Sequence, residues 1–404
     1  MTDRGGPLPS RTARWFRRRV WSTLLAGMVI AGCSADDAPD SALSDQLQET
    51  SDSDRVPGAG IPSADDSVDG GPGQENESTD DGSAGETTTI LPGNNNVFLN
   101  VELDKDQAVY TALNVANPAV LDRPALAVKI DNVEAARPQA GIVEADVVWE
   151  EMVEGGLSRF LAVYHSTDPD VVGPVRSARM TDIPLLMPLA NPLFSWSGSN
   201  AAFADLLRTT AIVDVGVDAE PGLYVRNGDR QAPSNLYATL VDLRALTPST
   251  AQSPRPMFSF ALNGESLGEG AHTVSGVDVD FGSTEVTFRW SATKAGWERT
   301  QNGTSHVDDQ GEVVSPQNVV IQFVPYILTD VRDSNGARVP QADIIRGQGE
   351  AWMLSGGQVI EGTWYKDNVT VASVFLDRNG ERVLTAPGRT WILLVPTGQA
   401  SLVP

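Results

Sequence analysis

Arginines, carboxylates and amides cluster in one stretch of this chain. They are Asp131, Asn132, Arg137, Glu150, Glu154, Arg159, Arg176, Ser177, Arg179, Asn200, Arg230 and Asn235. A guanidinium presents a planar fork of donors, so arginines from separate segments can converge on a carboxylate or a phosphate. Glu150 and Glu154 would then orient the arginines, or work as acid and base. Read as structure, the same residues are charge pairs that lock a hairpin to a neighbouring helix, an arrangement that is weak grounds for catalysis.

Other chemistries find little to work with. Ser177 lacks the flanking glycines of a nucleophile elbow. The three histidines, His165, His272 and His306, are scattered. His165 ends a strand-like run beside Tyr164 and reads as a rim or core histidine. His306 with Asp308 and Asp309 reads as a solvated turn, not as a metal site, which would want two or three better-spaced ligands. No phosphate-binding loop or dinucleotide fingerprint is present, and no cofactor is expected.

The elements that must position these side chains can be sketched from pattern. The run 125–130 is short and apolar, fit for a buried strand that ends at Asp131-Asn132. Runs 147–154 and 157–165 are strand-like and are joined by Gly155-Gly156, a two-residue hairpin signal. That turn predicts Glu154 opposite Leu157, Met152 opposite Arg159 and Glu150 opposite Leu161. Arg159 would then lie diagonally between Glu150 and Glu154, while Glu151 shares the other face with Trp149, Phe160 and Tyr164. Arg176 and Arg179 precede a helix over 181–190 that holds Pro184 and Pro188. A strand at 193–196 leads through Ser197-Gly198-Ser199-Asn200 into a helix over 201–208, with Ser199 or Asn200 as its N-cap. The polar residues Tyr224, Arg226, Arg230, Pro233, Asn235 and Tyr237 come before a further helix over 237–246.

Beyond a Pro/Ser/Thr-rich linker (247–256), strands are expected at 277–281, 285–290, 318–326, 369–376 and 391–395. Asn302-Gly303, Asn335-Gly336 and Asn379-Gly380 supply turns. Trp290, Trp297, Trp352, Trp364 and Trp391 read as packing residues. The expected fold is an α/β or α+β N-terminal domain with a mixed sheet (97–246), then a mostly β domain, sandwich or barrel-like (257–398).

The 404 residues carry 29 Lys+Arg, 53 Asp+Glu and a net charge of -24. A surplus of acid disfavours nucleic acid as a partner, because phosphate neutralisation needs Lys and Arg. That charge is unevenly spread. Residues 1–32 carry +5, 34–96 carry -14 and 97–404 carry -15. The first segment has a basic start, an apolar stretch (20–31) too short to span a bilayer, and Ile30-Ala31-Gly32-Cys33. Small residues before the sole cysteine look like a bacterial lipobox, whose thiol carries the lipid. Arg18-Arg19 leaves Sec and twin-arginine export both open. Residues 34–96 contain no aromatic residue and cannot bury enough apolar area to fold. As a flexible tether they would span roughly 45 Å.

The chain also resembles a known family. Arg123-Pro124, Lys129 to Asn132, Ala136 to Gly141, Ala145-Asp146, Glu150, Glu154 to Gly156, Arg159-Phe160 and Gly173 to Arg179 are similar to the YerB-like bacterial lipoproteins. Arg299, Asn302-Gly303, His306, Asp308, Asn318 to Val320 and Gly388 to Trp391 match its C-terminal part. The sequence departs at Ser158, where Thr is expected, and at Ser234, where His is expected. The resemblance covers roughly 97–398 and implies an envelope lipoprotein with two domains of unknown function. A membrane-anchored extracytoplasmic lipoprotein is therefore expected, held on the bilayer through acylated Cys33. It would be a binding or scaffold protein for cell-envelope proteins or for an anionic small molecule or glycan. The alternative is an envelope hydrolase or transferase acting on a wall polymer or anionic glycan through Glu150, Glu154 or Asp131.

Overall fold

A computed structural model describes residues 103–404, apart from 263–266 and 333–335. The basic leader, Cys33, the whole of the expected tether and Asn335 of one expected turn lie outside the described residues.

The fold is built on a mixed sheet of eleven strands. Its N-terminal half supplies β1 (Leu126–Asp131), β2 (Val147–Met152), β3 (Ser158–Tyr164), β4 (Leu193–Ser195) and β5 (Val213–Asp214). β3 lies antiparallel between β1 and β2, and β4 adds to β1 in parallel. β1 and β3 are near-continuous apolar runs, as suits strands covered on both faces, and every residue of the two is buried.

The C-terminal half does not stand apart. Thr390–Pro396 pairs in parallel with β2 on one side and with Asn318–Val324 on the other. The sheet then continues through Gly347–Ser355, Gln358–Lys366 and Val374–Leu376. Residues on both sides of the expected 247–256 linker thus share one sheet. A second sheet of five strands, among them Gly276–Asp280, Glu285–Ser291 and Gly296–Gln301, covers one face. Its Val277, Phe288 and Trp297 share a core with Val148, Phe160 and Trp391 of the large sheet. The opposite face buries Ala127, Trp149 and Leu161 beneath Ile183, Leu186 and Phe203 of the helical segments. Trp297, Trp364 and Trp391 are core residues as expected, while Trp290 and Trp352 are partly buried against the core.

Several local expectations need correction. The β2–β3 turn holds three residues (154–156), not two. Val153 N–H donates to the Leu157 carbonyl at 2.7 Å, and Gly155 and Gly156 both adopt positive φ. One extra residue shifts the register by one and exchanges the faces of the pairs. Glu150 lies opposite Phe160, Glu151 opposite Arg159 and Met152 opposite Ser158. Arg159 therefore shares a face with Glu151, and Glu150 shares one with Phe160. The helix expected over 181–190 is one α-turn, Asp182–Leu186, followed by 3-10 helix at Met187–Leu189. Pro188 lacks an N–H to continue the α pattern. Tyr237 belongs to a short strand, Leu236–Ala238, so the last helix starts later, at Leu240–Arg244. Only Val374–Leu376 of the run 369–376 is strand. The helix Ala201–Leu207 has its expected cap, with Asn200 Oδ1 accepting from the Phe203 N–H at 2.8 Å.

The three-residue turn also joins the halves. Gly156 carbonyl accepts from Ser283 N–H at 2.9 Å, and a Cβ on Gly156 would lie 2.8 Å from the Phe281 carbonyl oxygen. Gly155 faces open space. Gly155→Ala should cost about 1 kcal/mol from backbone strain alone. Gly156→Ala should cost roughly 1–3 kcal/mol more, because the added methyl has no room. Equal losses in urea unfolding would contradict this docking.

Candidate functional site

The expected site residues separate into three groups. The first is centred on Glu150, which is fully buried. Its partner is Arg299, also fully buried, from the strand Gly296–Gln301. One guanidinium nitrogen reaches both carboxylate oxygens, at 2.8 and 3.1 Å. Ser158 Oγ donates to Glu150 Oε1 at 2.7 Å, and Asn132 Nδ2 donates to Ser158 Oγ at 2.8 Å. Phe160 and Trp391 place their rings 5.3 and 5.4 Å from the Arg299 guanidinium carbon.

The far side of Arg299 fixes a histidine tautomer. Arg299 donates to His306 Nδ1 at 2.8 Å, so that nitrogen carries a lone pair. The proton then sits on Nε2 and is donated to Gln139 Oε1 at 2.8 Å. Gln139 Nε2 continues to the Asp131 carbonyl at 3.0 Å. Burial, then Arg299 and Arg137, hold the His306 pKa well below the usual range. Of the expected solvated turn, His306 and Asp308 are thus buried, with Asp308 accepting from Glu312 N–H at 2.7 Å, while Asp309 is exposed. The chain folds His306 inward because Arg299 needs an acceptor on its second nitrogen. Among the described residues no cluster of His, Cys, Asp and Glu could hold a metal ion.

The second group lies on the other face of the hairpin. Glu151, Arg159 and Asp131 stand in one row across β2, β3 and β1. Neither acid pairs with Arg159. Glu151 contacts Lys129, which also holds Asp182 at 2.7 Å, and all three are buried. Asp131 accepts from Ser234 Oγ at 2.7 Å and contacts Arg176 Nε at 3.1 Å. Glu154 takes a two-point contact from Arg179, Nε to Oε1 and Nη2 to Oε2, both 2.8 Å. Arg159 donates to the Ser177 carbonyl at 3.0 Å and makes no ion pair among the described residues. Burial, then Arg179 and Arg176, lower its pKa to about 10. The expected engagement of Glu150 and Glu154 by Arg159 is therefore replaced by Arg299 and Arg179, as the one-residue shift requires.

The third group is structural. Arg230 binds the Ala136 and Pro138 carbonyls at 2.8 and 2.7 Å. Asn235 accepts from Arg226 at 2.7 Å and donates to the Arg230 carbonyl at 3.0 Å. Asn200 is spent as a helix cap. Arg137 is partly exposed, and burial lowers its pKa. Ser158, where Thr is expected, keeps a hydroxyl donor to Glu150, while Ser234, where His is expected, puts a hydroxyl donor on Asp131. His165 is a core histidine whose Nε2 meets the Leu121 carbonyl at 3.2 Å.

Sequence reasoning from the hairpin missed Lys129, Glu151 and Asp182 as one unit. A lysine inside an apolar strand was their available signal, since such a charge needs a partner. Away from these groups, a cavity of about 20 Å³ is lined by Trp149, Pro184, Met257, Phe258 and Lys366. It has room for little more than water.

Burial pushes the Asp182 carboxyl up to about 6, against the pull of Lys129. The folded chain therefore takes up this proton at a higher pH than the unfolded chain does. Between about pH 6 and pH 4 the native state holds more protons, so this group adds stability as pH falls. The difference in unfolding free energy, wild type minus Asp182→Asn, should grow on going from pH 7 to pH 4. A difference that shrinks would contradict this reading.

Comparison with known proteins fits the same outline. Residues 110–253 match the N-terminal domain, and residues 277–392 the C-terminal domain, of the protein family of unknown function DUF3048. The Bacillus subtilis (strain 168) protein named "Putative lipoprotein YerB" is 28% identical over 289 residues, 70% of this chain and 85% of that one. The crystal structure of YerB from Bacillus subtilis superposes with a TM-score of 0.63 at 27% identity. It covers 74% of this chain and 99% of that chain.

Proposed function

The chain belongs to this two-domain DUF3048 family, and from that premise we propose that it is a membrane-anchored extracytoplasmic lipoprotein that binds and does not catalyse. Its anchor is Cys33, acylated after removal of residues 1–32, and residues 34–96 space the folded part from the bilayer. One acyl chain holds a protein only marginally, whereas two or three hold it firmly. The relative named as a lipoprotein supports the anchor.

The observation that carries the binding reading is the fate of the three nominated acids. Glu150 is sealed against Arg299, Glu154 is gripped by Arg179, and Asp131 is held by Arg176 and Ser234. A general acid or base must reach the proton it moves, and each of these carboxylates is already committed. Among the three acids nominated for a hydrolase or transferase, none is left free to form an acid–base pair. Arginine is left over instead, which suits cell-envelope proteins, an anionic small molecule or a glycan as partner.

Labelling cells with radioactive palmitate tests the anchor. The wild-type chain should carry label and sediment with membranes. Cys33→Ala should lose the label and leave the membrane fraction. Equal labelling of both, or membrane retention of the variant, would overturn the proposal.

A further inference from the structure

One cation on the hairpin face has no carboxylate of its own. Lys129 takes Glu151 and Asp182, Arg176 takes Asp131, and Arg179 takes Glu154. Arg159 is left with one backbone carbonyl, although its residue is only 9% exposed. A buried cation without a counter-ion is costly, so the arrangement is poised for an anion. Lys129, Arg159, Arg176 and Arg179 face Glu151, Asp182, Asp131 and Glu154, but Lys129 holds two of these acids, so Arg159 is the cation left without one.

Two further groups offer free donors at the same place. Arg176 spends its Nε on Asp131, and its side chain is 26% exposed. The two terminal nitrogens of its fork make no hydrogen bond among the described residues. Ser177 supplies the carbonyl that Arg159 holds, while its own hydroxyl is partly exposed and without a hydrogen bond there. Gly198 keeps that hydroxyl uncrowded, since a Cβ at Gly198 would lie 3.3 Å from Ser177 Oγ. The backbone pins the loop, with Ala178 N–H donating to the Gly198 carbonyl at 3.0 Å and Ser197 N–H to the Arg176 carbonyl at 2.9 Å.

We infer that Arg159, Arg176 and Ser177 form a binding site for a phosphodiester group. A diester carries one negative charge, which matches the single unpaired Arg159, and has two free oxygens, one for each guanidinium. Its tetrahedral shape accepts donors from a strand and a loop that approach from different directions. A carboxylate is planar and is best met by one fork. The diester can be borne by a soluble or polymeric glycan, or by a phospholipid headgroup. This inference rests on the binding reading above and names the ligand chemistry for it.

The test is an NMR titration of the full chain in neutral detergent with glycerophosphoglycerol at low ionic strength, and with acetate as comparison. The wild type should bind the diester and prefer it to acetate. Arg176→Gln should weaken it by about 10-fold or more, as expected for losing a charge-assisted pair. Ser177→Ala disturbs no internal hydrogen bond and should weaken it by a few fold. Arg208→Gln, on an exposed helix end, should bind like wild type. Retention of phosphatidylglycerol vesicles that depends on Arg176 would assign the headgroup as the source. Diester binding without vesicle retention would assign the glycan. No binding by the wild type, equal binding of acetate, or unchanged binding in both site variants would overturn this inference alone. Cleavage of the diester would overturn the binding reading as well.

Discussion

A carboxylate and a guanidinium withdrawn from water must find each other, and here they come from opposite halves of the chain. Glu150 and Arg299 are separated by 149 positions in sequence and are both fully buried. Burial raises the carboxyl pKa and lowers that of the guanidinium, and each partner opposes the other's shift. Removing one partner from such a pair typically costs about 3–5 kcal/mol, because an uncompensated charge stays behind. The pair also orders its surroundings. Ser158 and Asn132 complete the carboxylate, His306 and Gln139 complete the guanidinium, and two aromatic rings cover it. The parallel pairing of β2 with Thr390–Pro396 runs beside this contact, so sheet and ion pair hold the same junction.

This junction decides what the opposite face can offer. With Glu150 turned toward Arg299, the register sends Glu151 and Arg159 to the other side. There Lys129 gathers two acids and leaves Arg159 with none. The unpaired Arg159 beside Ser177 is thus a consequence of how the hairpin is closed. It stands out against residues 97–404, which carry -15, and residues 34–96, which carry -14.

Much of this was legible in the sequence, for identifiable reasons. The strands β1, β2 and β3 follow from apolar runs, and the cap at Asn200 follows from local side-chain chemistry. The mixed sheet and the strand-rich second half follow in the same way. The register did not, because two glycines with positive φ suit a two-residue and a three-residue turn alike. The partner of Glu150 could not be read from the hairpin, since the pairing is long-range and periodicity carries no such information. Arg299 surfaced only through family resemblance, and His306 read as part of a solvated turn, not as a partner of Arg299. The union of the two halves in one sheet was hidden by a linker of ordinary composition, although its strand at 391–395 was visible.

The central claim is that the two halves form one cooperative body held by the Glu150–Arg299 junction. Differential scanning calorimetry of the wild-type chain beside Arg299→Met tests it most directly. One transition is expected in each, with equal calorimetric and van't Hoff enthalpies and a lower midpoint for the variant. Two separate transitions in the wild type, or an unchanged midpoint in Arg299→Met, would contradict the account.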